Sequence, residues 1–168
     1  QVLNNGSLGS SYQFSGIFVN GSHSHIERCI AGDNGGHGLF TGAGSKLLYN
    51  TSYNNGGYGL YAGTGSKLLY NTAYNNSGSG SGSYGIYGDN GSYISDNSVY
   101  LHTGTYAIYG GTGSVISNNT THSNTVDYAI WSNVGSHISG NAVHSNQGSG
   151  IHGSVGSTIS HNTVRSNT

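Results

Sequence analysis

The 168 residues are ample for one domain and awkward for two, so residues 1–168 read as a single unit. Charged residues make up 5% of the chain, the net charge is −1, and there are 31 glycines and no proline. So few cations leave no electrostatic footprint for nucleic acid or an anionic membrane surface, and no apolar run approaches the roughly 20 residues of a membrane-inserted helix.

In chain order, residues 1–15 are irregular, although Val2 with Asn5 reads as an earlier copy of the pattern that follows. From there a branched apolar residue recurs with an asparagine three places after it: Leu47/Asn50, Leu68/Asn71, Ile94/Asn97, Ile116/Asn119, Ile138/Asn141 and Ile159/Asn162. Ile26 with Cys29 is the same pair with cysteine in the asparagine slot. Five places after this first set comes a second, Asn34, Asn55, Asn76, Asn124, Asn146 and Asn167, with His102 taking one turn. The step is 21 or 22 residues, except where the Gly/Ser stretch 77–83 inserts a loop. Such Gly, Ser and Asn content would suit a disordered linker, but a linker has no reason to return Ile and Asn in register. A fixed period of this length marks a solenoid, in which each repeat buries its apolar face against its neighbours.

The coil from Ser114 to Trp131 shows the expected unit. After a Gly-Ser turn, Val115-Ile116-Ser117 is a strand with Ile116 inward, and Asn119 bends the chain, since asparagine tolerates left-handed backbone angles. Thr120-Thr121 opens a second strand, Asn124 leads a loop, and Ala129-Ile130-Trp131 forms a third strand. The fold class is therefore all-β, a parallel β-helix of about seven to eight coils with three short strands per coil. Coils would stack about 4.8 Å apart, and the corner asparagines would form a ladder along the stack.

The recurrent G-[IL]-[FYW] … GS-x-[IL]-x-x-N-[TSA]-x pattern, over roughly residues 16 to 168, resembles the right-handed parallel β-helix repeat family of the pectin-lyase-like superfamily. Right-handedness is implied by that resemblance. On activity the resemblance is nearly silent, because the superfamily holds polysaccharide lyases, hydrolases and epimerases together with phage tailspikes and non-enzymatic surface proteins.

Two stripes could carry function. A large ring follows each inward residue of the third strand: Phe18, Phe40, Tyr61, Tyr87, Tyr109 and Trp131, then His152. Alternation along a strand turns these rings outward, either as a stacked ladder that stabilises the sheet or as a contact surface. A secondary stripe comprises Tyr53, Tyr74 and Tyr100, continued by His122, His144 and Arg165. Outward threonines Thr51, Thr72, Thr120 and Thr163 come one per coil with breaks at Ser98 and Ala142, too irregular for a flat ice-binding face.

Catalytic constellations are not legible. Gly36-His37-Gly38 matches a short motif of the superfamily's polygalacturonases, but the next coil has Gly57-Tyr58-Gly59 in that slot, so the repeat explains it. The acids are Glu27, Asp33, Asp89, Asp96 and Asp127, scattered where glycosidic cleavage wants two carboxylates roughly 5–10 Å apart. Nine histidines invite a metal reading. Side chains on successive coils point in parallel, however, which suits closed coordination poorly; no metal, catalytic residue or cofactor is expected.

The expected function is a non-catalytic structural or adhesive protein of the cell exterior, a self-assembling subunit of a filament or surface assembly; the alternative is a carbohydrate-binding module or polysaccharide-processing enzyme. The expected partners are other copies of the chain, end to end and side to side, with polysaccharide as the other candidate and neither nucleic acid nor membrane insertion. The absence of a cap at either end and the low charge favour association. A start at Gln1 fits a processed, secreted chain, and candidate N-glycosylation acceptors are Asn5, Asn20, Asn50, Asn75, Asn90, Asn118 and Asn119. Cys29 reads as a small corner residue or as a link between subunits.

Overall fold

A computed structural model of the chain describes residues 2–3, 15–78 and 82–168. Among these there is no helix. Three short strands form in each turn of chain, and each pairs in parallel with its equivalent in the next turn, so three sheets run the length of the molecule over about seven turns. The first sheet is built from His25–Glu27, Lys46–Leu48, Lys67–Leu69, Tyr93–Ser95, Val115–Ser117, His137–Ser139 and Thr158–Ser160. The second takes Val2–Leu3, Ile30–Gly32, Thr51–Tyr53, Thr72–Tyr74, Ser98–Tyr100, Thr120–His122, Ala142–His144 and Thr163–Arg165. The third takes Ile17–Val19, Leu39–Thr41, Leu60–Ala62, Tyr84–Gly88, Thr103–Gly110, Thr125–Ser132 and Gln147–Gly153.

Three-residue strands leave one side chain pointing inward, and that slot holds the core. Leu47, Leu68, Ile94, Ile116 and Ile138 fill it in the first sheet, Ala31, Ala73, Val99 and Val143 in the second, and Leu39, Leu60, Ile86, Ile108 and Ile130 in the third; all are fully buried. Residues pair with their own kind across the coils, Ile94 with Leu68 and Ile116, Ile86 with Leu60 and Ile108. A one-residue slip would turn every inward Ile outward, so the hydrophobic slot itself fixes the register.

Each coil turns three corners, and each corner is a left-handed residue followed by an inward polar one. Tyr49, Tyr70, Asp96, Asn118, Gly140 and His161 have φ of 55° to 68° and precede the first asparagines. Asn54, Asn75, Leu101, Ser123 and Ser145, at 51° to 57°, precede the second set, and Gly44, Gly65, Gly91, Gly113 and Gly135 precede serines 45, 66, 92, 114 and 136. The expectation that the ladder asparagine itself adopts the left-handed angle is thus corrected by one residue. The asparagine is inside because its amide is needed there. Asn119 Oδ1 accepts from the Asn97 N–H at 2.9 Å and from Asn97 Nδ2 at 3.0 Å. Its own Nδ2 donates to Ile94 O and to Asn141 Oδ1, both at 3.0 Å. The same pattern links Asn50, Asn71, Asn97, Asn119, Asn141 and Asn162 into one buried ladder.

Two further expectations are corrected. Val2 lies in the second sheet, opposite Ala31, and so is not a copy of the first-sheet slot; from Val2 to Ile26 is 26 − 2 = 24 residues, too many for one period. No loop separates Asn124 from the third strand, because Thr125–Ser132 is continuous. Extended-favouring Thr125-Val126 stands there where an earlier coil has Gly56-Gly57. Of the inserted stretch 77–83, residues 79–81 lie outside the described residues, as do Gln1 and residues 4–14; Gly78 N–H donates to Ser83 Oγ at 2.8 Å and closes the insertion's base.

Candidate functional site

The outer face of the third sheet carries the rings. Phe18 and Phe40 stack at 4.9 Å between centroids, Phe40 and Tyr61 at 4.3 Å, Tyr61 and Tyr87 at 4.7 Å, and Tyr87 and Tyr109 at 4.8 Å, with interplanar angles of 3° to 21°. Trp131 lies on His152 at 3.8 Å. A second column, missed in the sequence, runs beside the first: His37 and Tyr58 at 4.4 Å, Tyr58 and Tyr84 at 5.0 Å, Tyr84 and Tyr106 at 5.4 Å, then Tyr128. The columns touch at 4.9 to 5.9 Å, and Trp131 bridges them by stacking on Tyr106 at 5.4 Å.

This second column exists because strand alternation is broken. Gly38 and Leu39, Gly59 and Leu60, Gly85 and Ile86, Ala107 and Ile108, and Ala129 and Ile130 are consecutive buried pairs, so the residue three before each ring emerges on the same side as the ring. Only a small residue fits the first place: a Cβ on Gly38 would lie 2.0 Å from Ser52 Oγ, and one on Gly59 would lie 2.4 Å from Gly85 O. The recurrence of Tyr58, Tyr84, Tyr106 and Tyr128 three places before the first column was the available signal.

Stacking withdraws ring surface from water. Phe40 is 8% exposed, whereas Phe18 near the described edge is 44% exposed. Burial, with neighbouring phenols adding to it, pushes the Tyr84 hydroxyl up to about 12 and moves Tyr87 further the same way, Asp89 contributing there. Tyr106 and Tyr109 are raised chiefly by burial too, with Asp127 and Asp89 next in order. His37 is held neutral, down at about 4, by burial alone, and its Nδ1 accepts the Tyr58 N–H at 3.0 Å. The Gly-His-Gly histidine is therefore a rung of the second column. Because ring faces meet ring faces, what the sheet presents outward is a row of rims and phenol hydroxyls.

The secondary stripe also stacks, on the second sheet. Tyr53, Tyr74, Tyr100, His122 and His144 follow one another at 5.1 to 5.4 Å with angles of 0° to 9°, and Arg165 pairs beyond His144. Tyr49 and Tyr70 stack at 4.9 Å on the neighbouring corner, with the Arg28 guanidinium 5.5 Å over Tyr49.

The acids are not brought together. Glu27 is on the first sheet, paired with Arg28 at 2.6 Å. Asp33 accepts Asn54 Nδ2 at 2.9 Å on one corner, and Asp96 meets Ser95 Oγ on another. Asp89 accepts Thr64 Oγ1 at 2.9 Å beyond the third sheet, and Asp127 lies at the start of a third-sheet strand. Five acids occupy five different slots of the coil. Among the described residues no three His, Cys, Asp or Glu side chains converge as a metal site. Cys29 is half-buried in its ladder slot, and its N–H donates to Asn50 Oδ1 at 2.9 Å. Asn50 and Asn119 are buried with their amides in the ladder, while Asn20, Asn75, Asn90 and Asn118 are exposed and Asn5 lies outside the described residues.

A family profile described as a right-handed β-helix region matches residues 39–168. The chain belongs to that family. Its three parallel sheets are the expected architecture of a right-handed β-helix, and the profile covers all the coils from the Leu39 strand onward. No curated protein and no solved structure matches the chain.

Proposed function

We propose that this β-helix is a non-catalytic structural protein of the cell exterior that lies against other copies of itself through the ring-bearing third sheet. One observation carries the reading: two adjoining ring columns cover one face from Phe18 to His152, with Tyr106 joining Tyr109 to Trp131 where the first column itself is interrupted. A rigid rod with one aromatic face is suited to lateral contact, since aromatic side chains are enriched at interfaces and charged ones depleted. The low net charge leaves little repulsion between copies. The five separated acids support the non-catalytic part, because inverting and retaining cleavage of a glycosidic bond in most hydrolases use two facing carboxyls.

A second reading is favoured by one detail. Tyr109 OH accepts Asn133 Nδ2 at 3.0 Å, so the rims carry oriented hydroxyls of the kind that recognise an extended polysaccharide. Against it, sugars stack on ring faces, and here those faces are taken by neighbouring rings.

Light scattering and sedimentation across a concentration series test the proposal. The expected result is reversible association that weakens in the double variant Tyr87→Ser with Tyr109→Ser while the β-sheet circular dichroism stays. Monomers at every concentration would overturn it, and release of reducing ends from a polysaccharide panel would overturn its non-catalytic part.

A further inference from the structure

The second asparagine ladder is cut at one place. Asn34 N–H and Nδ2 donate to Asn55 Oδ1 at 3.1 and 2.8 Å, and Asn55 does the same to Asn76 Oδ1 at 3.1 and 2.8 Å. The pattern resumes from Asn124 to Asn146 and from Asn146 to Asn167. Between Asn76 and Asn124 the rung is His102. Its backbone N–H still donates to Asn124 Oδ1 at 2.9 Å, but the imidazole is wholly buried and neither ring nitrogen has a well-formed hydrogen bond. Asn76 Nδ2 donates to Ser52 O in its own stack rather than upward to a side chain.

The same step carries the insertion: Asn71 and Asn97 are 26 residues apart, where the flanking rungs are 21 or 22 apart. No spare room surrounds the ring, because a Cβ on Gly104 would sit 2.9 Å from His102 Nε2 and 2.6 Å from Ser83 O. What faces the imidazole is the backbone of Ser83 and Asn76 and the uncharged Gly104, and no charged or titratable side chain among the described residues bears on it.

We infer that the step between Asn76 and His102 is an acid-sensitive seam in the solenoid, at which the coils part locally when His102 takes up a proton. A protonated imidazole is disfavoured in this slot, since it would bring a charge into the buried interior with only the Ser83 and Asn76 backbone, and no carboxylate, to meet it. At the first corner the Asn71 amide still ties these two coils; at this corner no ladder amide does, and the backbone alone holds them, Thr72–Tyr74 against Ser98–Tyr100 with the Thr103 N–H on Asn76 O.

The sign follows from where the proton binds. Burial lowers the folded-state pKa to about 4 from an ordinary 6.5, the Ser83 and Asn76 backbone opposing without reversing it. Stability from the neutral, buried ring is complete above pH 6.5 and is lost as pH falls toward 4, because the opened state binds the proton first. At pH 4.5 the seam should open about 60-fold more often than at pH 7.

Hydrogen exchange of the full chain, compared at pH 4.5 and 7 after correction for intrinsic rates, reads this directly. Amides over residues 98–106 should lose protection by about 60-fold on acidification, with residues 115–144 unchanged. His102→Asn, which completes the ladder, and His102→Gln, which is neutral and of similar reach should the asparagine fold poorly, should both remove the effect. Acid loss of protection that persists in both variants, that spreads evenly over all coils, or that is absent from the native chain would each overturn the inference. Buried His37 reports at its own rung, residues 37–58, and is told apart by position.

Discussion

Replacing Asn119 by valine removes a side chain of similar volume and four hydrogen bonds at once. Two are donations from Nδ2, to Ile94 O and Asn141 Oδ1 at 3.0 Å each. Two are acceptances by Oδ1, from Asn97 N–H at 2.9 Å and Asn97 Nδ2 at 3.0 Å. The dominant loss is the Asn97 backbone N–H, because Asn97 is 2% exposed and water cannot replace the lost acceptor. An unsatisfied buried donor costs about 1–3 kcal/mol and each remaining net bond about 0.5–1.5 kcal/mol, with partial relaxation among the amides, so the expected loss is about 2–4 kcal/mol. The neighbouring Asn118 makes the contrast. It is exposed at φ 55°, so Asn118→Ala should cost only about 1 kcal/mol, for a Cβ in the left-handed region, and Asn118→Gly should cost nothing or stabilise slightly. Urea unfolding of the three variants, read by circular dichroism with hydrogen exchange at the Asn97 rung, measures the order directly. An Asn119→Val midpoint equal to that of the native chain, or an Asn118→Gly loss as large as that of Asn119→Val, would refute the assignment of roles at the corner.

The buried His37 imidazole, at about 4 in the folded chain, should make stability fall as pH drops from 6.5 toward 4, by about 3 kcal/mol at the limit; His37→Gln should remove that share in urea titrations at pH 7 and 4.5, leaving the share of buried His102. Tyr84, pushed up to about 12 with a rise at its stacked neighbours, should delay phenolate formation. Stability is then intact below pH 10 and declines above it, and spectrophotometric titration should show these phenols ionising above the ordinary phenol range near 10. Expression in a glycosylating secretory host should place sugar only on exposed acceptors, Asn20, Asn75, Asn90 or Asn118, among the described residues. Peptide mapping that finds glycan on Asn50 or Asn119 of folded protein would contradict the buried ladder.

The architecture was legible because a three-residue strand has one inward slot, and that slot repeats the same residue type coil after coil. Ile94, Ile116 and Ile138 face the interior in the sequence pattern and in the structure alike. The corners were half legible. Asparagine was placed at the bend, but two properties of asparagine, tolerance of left-handed angles and an amide with paired donor and acceptor, were assigned to one residue. The structure divides them: Asn118 takes the angle and Asn119 the bonds. Tyr49 and Tyr70 in left-handed corners show why composition misleads here, since the ladder that follows fixes the bend whatever residue occupies it.

For the candidate site, strict alternation carried the reading as far as one ring column and hid the other. Two adjacent inward residues, a Gly or Ala and then a Leu or Ile, shift the count by one and bring Tyr58, Tyr84, Tyr106 and Tyr128 out beside Tyr61, Tyr87, Tyr109 and Trp131. That second column changes what the face can do. A single exposed row would offer ring faces to a ligand at its ends and edges between, whereas the double row closes the faces against each other and raises the phenol pKa values by burial. The ladder thereby stabilises its own sheet by about 0.2–1 kcal/mol per pair, and a partner meets only hydroxyls and rims. Contact through such a surface rests on hydrogen bonds more than on buried apolar area. Association of copies through this face should accordingly be weak, reversible and concentration-dependent, and a tight obligate dimer would point to a different surface.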